Sequence, residues 1–360
     1  MSKRWKEAYT LALVVSLSVA SSALALNNGQ ALTPPMGWNT WNFFGCNYDE
    51  NTIKQQAALM VSSGLAAAGY KYVNIDGCWQ LNTRDANGNL QPDPAKFPSG
   101  LPSLVKHLHG LGLKAGIYTD VGTIGCGGYI GSYGHEARDA AQFASWGFDY
   151  VKVDWCGIFT QSFNAATIYD TWRSALATYA PSMIYSICNW GHQSPWNWGP
   201  STGNLWRTTI DIWDSWSYSA NNRISVMDIL DATAIHAARS GPGAWNDPDM
   251  LVVGLYGNGN TYGSGMTTEE YRSHFSMWAI SSAPLFMGHD LVNMNSTTLG
   301  ILSNSEVIAV NQDVLGIQAG VVWDSGAGLQ IYARPITGTG ARAVALLNRT
   351  GIATNITVET

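Results

Sequence analysis

The chain has 360 residues, 46% hydrophobic and 12% charged, with a formal net charge of −6. A chain this apolar builds a large core and is not disordered, and its acidic balance excludes a nucleic-acid surface, which needs basic patches. The 38 glycines, 16 tryptophans and 16 tyrosines beside so few charges suit a neutral, flat-faced ligand such as a sugar, and equally suit ordinary packing. The length fits two domains or one large barrel.

In chain order the first feature is the N-terminal stretch "MSKRWKEAYTLALVVSLSVASSALALNNGQ". Lys3, Arg4 and Lys6 precede a short apolar run, and Ala23-Leu24-Ala25 is a small-x-small cleavage site, so residues 1–25 read as a secretory signal peptide outside the fold. An uncleaved anchor is the rival, but the run is short and rich in small residues. No other segment is apolar enough to span a bilayer, so no membrane contact is expected after cleavage, and the expected location is secreted or extracytoplasmic. Export permits disulfides. The five cysteines, Cys46, Cys78, Cys126, Cys156 and Cys188, leave at least one free thiol or an intermolecular bond. They show no CxxC spacing, so no metal site is expected, and no cofactor either.

Short β-branched or aromatic runs then alternate with helical patterns. Strands are predicted at 36–41, 70–76, 113–120, 149–155, 183–190, 205–211, 244–251 and 283–290. Helices are predicted at 49–69, 101–114, 134–147, 168–180, 224–241 and 267–281. About eight strand–helix units predict a (β/α)8 barrel over residues 26–317. A doubly wound open sheet would show a Gly-rich phosphate loop after its first strand, and none is present. From 318 the pattern changes to short alternating runs between Gly turns without helices, the start of an antiparallel β domain over 318–360. Three or four strands would leave an open edge, so this second domain reads as incomplete.

Polar residues gather at the C-terminal ends of the predicted strands: Trp41, Asp76, Tyr118, Asp120, Lys152, Asp154, Asn189, Arg207, Asp211, Asp247, Asp249, His289 and Asp290. In a (β/α)8 barrel those ends form one mouth, where active sites lie. Lys152 and Asp154 share a face because the strand period is two. Two carboxylates on facing strands are what glycoside hydrolysis requires, one attacking the anomeric carbon and one protonating the leaving oxygen. Simpler roles compete. Asp120, Asp247 and Asp290 fit helix caps or turns, Trp38, Trp79, Trp190 and Trp245 fit packing, and His289 fits a core histidine. His107 and His109, two apart on a helix, make a poor metal pair. Asn295, Asn348 and Asn355 open glycosylation sequons.

The segments "PPMGWNTWNFF", "YKYVNIDGCWQ", "RDANGNLQPDPAKFPSG", "GLKAGIYTDVG", "YVKVDWC", "WRTTIDIWDSW", "GPGAWNDPDMLVVG" and "EVIAVNQD" together resemble glycoside hydrolase family 27, the family of α-galactosidases and α-N-acetylgalactosaminidases, over nearly all of 33–318. The resemblance implies a retaining double displacement on α-galactoside oligosaccharides or polysaccharide side chains. Asp154 matches the nucleophile and Asp211 the general acid/base. Lys152 matches a lysine holding sugar hydroxyls beside the nucleophile, and its charge is expected to favour ionised Asp154. Arg207 matches a sugar-contacting arginine, Trp41 the aromatic pocket wall, Tyr118 a further pocket residue, and Asp249 with Met250 the rim. By the same resemblance Cys46–Cys78 and Cys126–Cys156 are disulfides and Cys188 is free.

Two departures bear on specificity. The family commonly has two adjacent Asp residues on the O4/O6 side of galactose, whereas this chain has Asp76-Gly77. A β-L-arabinopyranosidase, whose sugar lacks the C6 hydroxymethyl, is the alternative this opens. Asn189 stands where some members carry Glu or Gln, on the C2 side. A catalytically silent sugar-binding homologue is a third reading, against which the presence of both Asp154 and Asp211 speaks. The sequence sets no oligomeric state.

Overall fold

The computed structural model describes residues 25–158, 163–220, 223–261 and 263–358, so nearly all of the predicted signal peptide lies outside the described residues. Eight strands run in parallel: β1 (Met36–Asn39), β2 (Tyr72–Ile75), β3 (Lys114–Asp120), β4 (Tyr150–Asp154), β5 (Ile184–Cys188), β6 (Leu205–Arg207), β7 (Trp245–Asp247) and β8 (Leu285–Met287). Their order is β7-β6-β5-β4-β3-β2-β1-β8. The seam between β7 and β8 is closed just beyond β7, where Leu251 bridges Met287 and its N–H donates to the Phe286 carbonyl at 2.8 Å. The sheet is thus curled into the predicted barrel.

The alternation of side chains along each strand sorts the chain into two cores. On β4, Val151 and Val153 point out and join the large cluster between barrel and helices. Tyr150 points in and joins Tyr72, Ile184, Leu205, Trp245 and Phe286, which plug the barrel floor. Two and four residues after Tyr150, on the same inner face, come Lys152 and Asp154. The charges at the end of a buried strand therefore stand on an apolar floor and face the mouth. Glycine at 116 makes room for this layer, since a Cβ there would sit 1.9 Å from Asn74 Oδ1.

Helix boundaries follow capping. Asp49 accepts from the Thr52 N–H and starts the helix Glu50–Ser62, and Asn164 caps Ala165–Tyr179. Thr267 and Glu270 form a capping box on Thr268–Ile280. The single helix predicted over 49–69 is two, Glu50–Ser62 and Leu65–Ala68, because Gly64 at φ +86° takes a left-handed turn between them. The helix predicted over 224–241 is likewise shorter, Val226–Ala234 followed by a 3₁₀ turn at Ala237–Arg239. Strands β6, β7 and β8 end earlier than predicted, and the polar residues after them lie in mouth loops rather than in the ladder.

Past the barrel, β9 (Gly320–Asp324), β10 (Leu329–Pro335) and β11 (Arg342–Asn348) form an antiparallel sheet in the order β11-β10-β9. Its inner face shares the barrel's outer core: Tyr332, Ala343 and Leu347 belong to the same cluster as Phe275, Trp278 and Ile280 of helix Thr268–Ile280. Arg334, 1% exposed, reaches the Ile280 carbonyl and the Ser282 hydroxyl. The other face is open, with Trp323, Val344 and Leu346 exposed.

Candidate active site

The strand ends converge on a cavity of about 200 Å³ in the barrel mouth. Its wall includes Trp41, Asp76, Lys152, Asp154, Arg207, Asp211, Asp249 and Met250, each from a strand end or the loop after it. A second, smaller cavity of about 20 Å³ lies beneath, among Asn74, Lys152, Ser186, Cys188, Arg207 and Asp247.

Lys152 links the floor charges. Its Nζ lies 2.9 Å from Asp76 Oδ2 and 3.9 Å from Asp154 Oδ2. Asn39 Nδ2 donates to the same Asp76 oxygen at 2.8 Å, and the Gly77 N–H donates to Asp76 Oδ1. Asp154 accepts the Trp155 N–H through Oδ1 at 2.9 Å, which leaves Oδ2 to the pocket. Burial works against the Lys152 ammonium, yet Asp76 and Asp154 hold its pKa well above the ordinary lysine value. Lys152 pulls the Asp154 pKa down, as expected, but does not set the net shift. Burial pushes the Asp154 carboxyl up, to about 7, against the pull of Lys152, with Asp120, Asp211 and Asp76 adding to the rise. Desolvation wins because the carboxylate sits 4% exposed among other carboxylates, while its cation is engaged 1 Å closer to Asp76.

Across the cavity Arg207, 4% exposed, reaches two carboxylates with one nitrogen: Nη2 lies 3.0 Å from Asp211 Oδ1 and 2.8 Å from Asp249 Oδ2. Asp211 is the open member, its side chain 40% exposed on the rim. The site thus holds one carboxylate buried at the end of a closed pocket and one at its mouth.

Asp120, suspected of being only a turn residue, binds the backbone of two mouth loops. Its Oδ1 accepts the Gly122 and Gly157 N–H groups and its Oδ2 the Cys156 N–H, tying the loop after β3 to that after β4. The Cys126–Cys156 disulfide joins the same two loops and lines the cavity. A second disulfide joins Cys46 and Cys78, and Cys188 is a free, buried thiol. Asp120, Asp154, Cys126 and Cys156 lie close enough to hold an ion, but both sulfurs are consumed by the disulfide and offer no thiolate.

Two predicted site residues stand off the cavity wall. Tyr118 lies behind it, its hydroxyl accepting the Cys126 N–H and its ring 5.3 Å from Lys152 Nζ. Asn189 is fully buried and donates to the His192 carbonyl. Trp190, read as packing, instead lines the cavity, whereas Trp38, Trp79 and Trp245 are fully buried core residues. His289 is buried with both ring nitrogens unpartnered, and burial lowers its pKa to about 4. His109 pairs with Asp149 at 2.9 Å. Sequence reasoning missed Asn42, Ile212, Arg223 and Thr261 in the wall. Asn42 and Ile212 sit inside quoted motifs and were within reach, while Arg223 and Thr261 come from loops with no periodic signal.

The sequence pattern of the family described as Alpha galactosidase A matches residues 33–313. Alpha-galactosidase A of Cellvibrio japonicus is 47% identical over 344 residues, 94% of this chain and 82% of that one. Alpha-galactosidase I of Mortierella vinacea shares the fold with a TM-score of 0.83 at 41% identity, over 89% of this chain and 83% of the other. The Saccharomyces cerevisiae α-galactosidase structure with raffinose gives a TM-score of 0.83 at 34% identity, over 89% and 75%.

Proposed function

The chain belongs to the alpha galactosidase A family and is an α-galactosidase, and from that premise we propose that Asp154 and Asp211 remove terminal α-D-galactosyl residues by a retaining double displacement. The observation that carries this is the closed pocket of about 200 Å³ with Asp154 buried at its inner end and Asp211 exposed on its rim. A pocket of that size takes one terminal sugar and leaves the aglycone outside.

In the first step Asp154 Oδ2 attacks the anomeric carbon while Asp211 gives its proton to the departing glycosidic oxygen. The C1–O bond to the aglycone breaks and a glycosyl ester on Asp154 forms. In the second step Asp211, now a carboxylate, takes a proton from water, whose oxygen attacks C1 and displaces Asp154. Lys152, Asp76 and Trp41 line the sugar's side of the pocket and Arg207 its far wall, in reach of ring hydroxyls. Trapping with a 2-deoxy-2-fluoro-galactosyl substrate followed by peptide mass spectrometry tests the assignment: the label belongs on Asp154, and a label elsewhere sinks it.

The substrates are α-galactoside oligosaccharides or polysaccharide side chains. Gly77 favours a second reading of glycone preference, because a Cβ there would stand in ordinary contact with the Cys126 carbonyl, 3.4 Å away, the Tyr118 ring, 3.6 Å away, and the Trp41 ring, 3.8 Å away, beside the pocket wall. A β-L-arabinopyranoside lacks the hydroxymethyl that a side chain there would meet. Residues 1–25 act as an export leader, 26–317 as the catalytic unit, and the stretch from 318 on as an antiparallel β unit packed on it. Two disulfides support an extracytoplasmic location. No helix among the described residues is long and apolar enough to cross a membrane.

A further inference from the structure

Asp249 has the backbone of a residue held in place for a purpose. Its φ is +82°, a region that a side chain other than glycine's disfavours, so the surroundings must impose it. They do so from every side. The Asp249 N–H donates to Asp247 Oδ1 at 2.9 Å, and its carbonyl accepts from Trp278 Nε1 at 2.9 Å. Oδ1 accepts the Met250 N–H at 2.7 Å. Oδ2 accepts the Ile212 N–H at 2.8 Å and lies 2.8 Å from Arg207 Nη2.

Those last two contacts both lead to Asp211. Ile212 is the next residue in the chain, so Asp249 fixes the backbone that carries the Asp211 side chain. Arg207 Nη2 is the same atom that meets Asp211 Oδ1. With Asp249 on the same nitrogen, the guanidinium is held by a second carboxylate and sets where the Asp211 side chain lies. Asp76, Lys152, Asp154 and Arg223 are further charged residues on the wall of the same pocket.

We propose that Asp249 is a positioning residue for proton donation, which anchors the backbone that carries Asp211 and fixes the Arg207 guanidinium against which the Asp211 side chain is held. This rests on Asp211 being the acid/base. It adds a role to the rim position inferred for Asp249 from resemblance, since both carboxylate oxygens are engaged by protein donors.

The test compares wild type, D249N, D211N and D211N/D249N on phenyl and 2,4-dinitrophenyl α-D-galactopyranosides. The dinitrophenolate leaves without a proton, and phenolate needs one. D249N should lose roughly 100-fold in kcat/KM, which reports the step that needs the proton donor, on the phenyl galactoside and under about 10-fold on the dinitrophenyl one. In the D211N background the Asp249 change should cost nothing more. An equal loss on both substrates with a raised KM overturns the inference in favour of a sugar contact, and so does an undiminished cost in the D211N background. D211N losing equally on both substrates removes Asp211 as the acid, a separate failure that takes this inference with it. Should D249N not fold, D249A produced and assayed in formate replaces it. Restored phenyl galactoside turnover supports the inference, and a folded protein that formate leaves inactive overturns it.

Discussion

Lys152 lies closer to Asp76 than to Asp154, 2.9 Å against 3.9 Å, so the one cation on the pocket floor is committed mainly to the carboxylate that is not proposed to attack. Burial can therefore raise the pKa of Asp154, the proposed nucleophile, to about 7 even beside a lysine. The attacking carboxylate must be ionised, so the acid limb of kcat/KM should lie well above the ordinary carboxylate range. Removing the lysine charge disfavours the carboxylate further. K152M should therefore move the acid limb to higher pH. A kcat/KM profile from pH 4 to 9 on both proteins checks this, and a limb that moves down instead contradicts the assignment of Lys152. The same change strands buried Asp76 without its cation, at a cost of about 3–5 kcal/mol in stability.

Gly77 offers a test of specificity. Its φ is not in the left-handed region and its nearest neighbours stand 3.4–3.8 Å from an added Cβ, so the backbone accepts a side chain there at ordinary contact distances. G77D should raise the ratio of kcat/KM on p-nitrophenyl α-D-galactopyranoside over p-nitrophenyl β-L-arabinopyranoside by about 5- to 100-fold, the range of one hydrogen bond of about 1–3 kcal/mol. G77A, adding bulk without an acceptor, should not. An unchanged ratio in G77D would show that position 77 does not reach the C6 side of the sugar.

The Cys126–Cys156 disulfide closes a span of 30 residues between the two loops that Asp120 also joins. Opening it by C126S/C156S should cost about 3–4 kcal/mol from loop entropy alone. Because the same disulfide forms part of the pocket wall, kcat should fall as well, while C46S/C78S, off the cavity wall, should lower stability with a smaller effect on kcat. Melting temperatures and kcat for the two double variants check the contrast.

What the sequence disclosed was periodic. The alternation Tyr150, Lys152, Asp154 against Val151, Val153 follows from a strand period of two, and it correctly sent two charges inward onto an apolar floor. The alternation of eight strand and helix patterns was enough to predict a barrel. The sequence was misleading where chemistry interrupts the pattern. Residues 208–211 and 248–250 continue the strand character of β6 and β7 but lie outside the named strands, where Asp211 and Asp249 turn across the mouth. The positive φ of Asp249 has no sequence mark, since neither residue type nor neighbours demand it. Arg223 and Thr261 come from irregular loops, where position depends on tertiary contacts such as the Arg223 bond to the Thr261 carbonyl at 2.7 Å. The balance at Asp154 was illegible for another reason: a neighbouring lysine is visible in one dimension, whereas the depth of burial is not.

That burial also fixes how stability depends on pH. Burial raises Asp120, Asp214 and Asp247 to about 6 and Asp154 to about 7 in the folded chain. An ordinary unfolded carboxyl titrates near 3.9. Between those values the folded state binds more protons than the unfolded one, so stability falls as pH rises through this window. Asp49 and Asp313 are lowered by hydrogen bonds from Thr52 and Thr337, and their contribution is lost only as pH falls below the ordinary carboxyl range. The stability maximum should thus lie at mildly acidic pH, with a melting temperature several degrees higher near pH 5 than near pH 8. D154N removes one of these raised acids. It should melt above wild type at pH 8, with the gap closing toward pH 4 where wild-type Asp154 is itself protonated. A gap that is constant across this range would mean that Asp154 is already ionised throughout, and would return the controlling influence on its charge to Lys152.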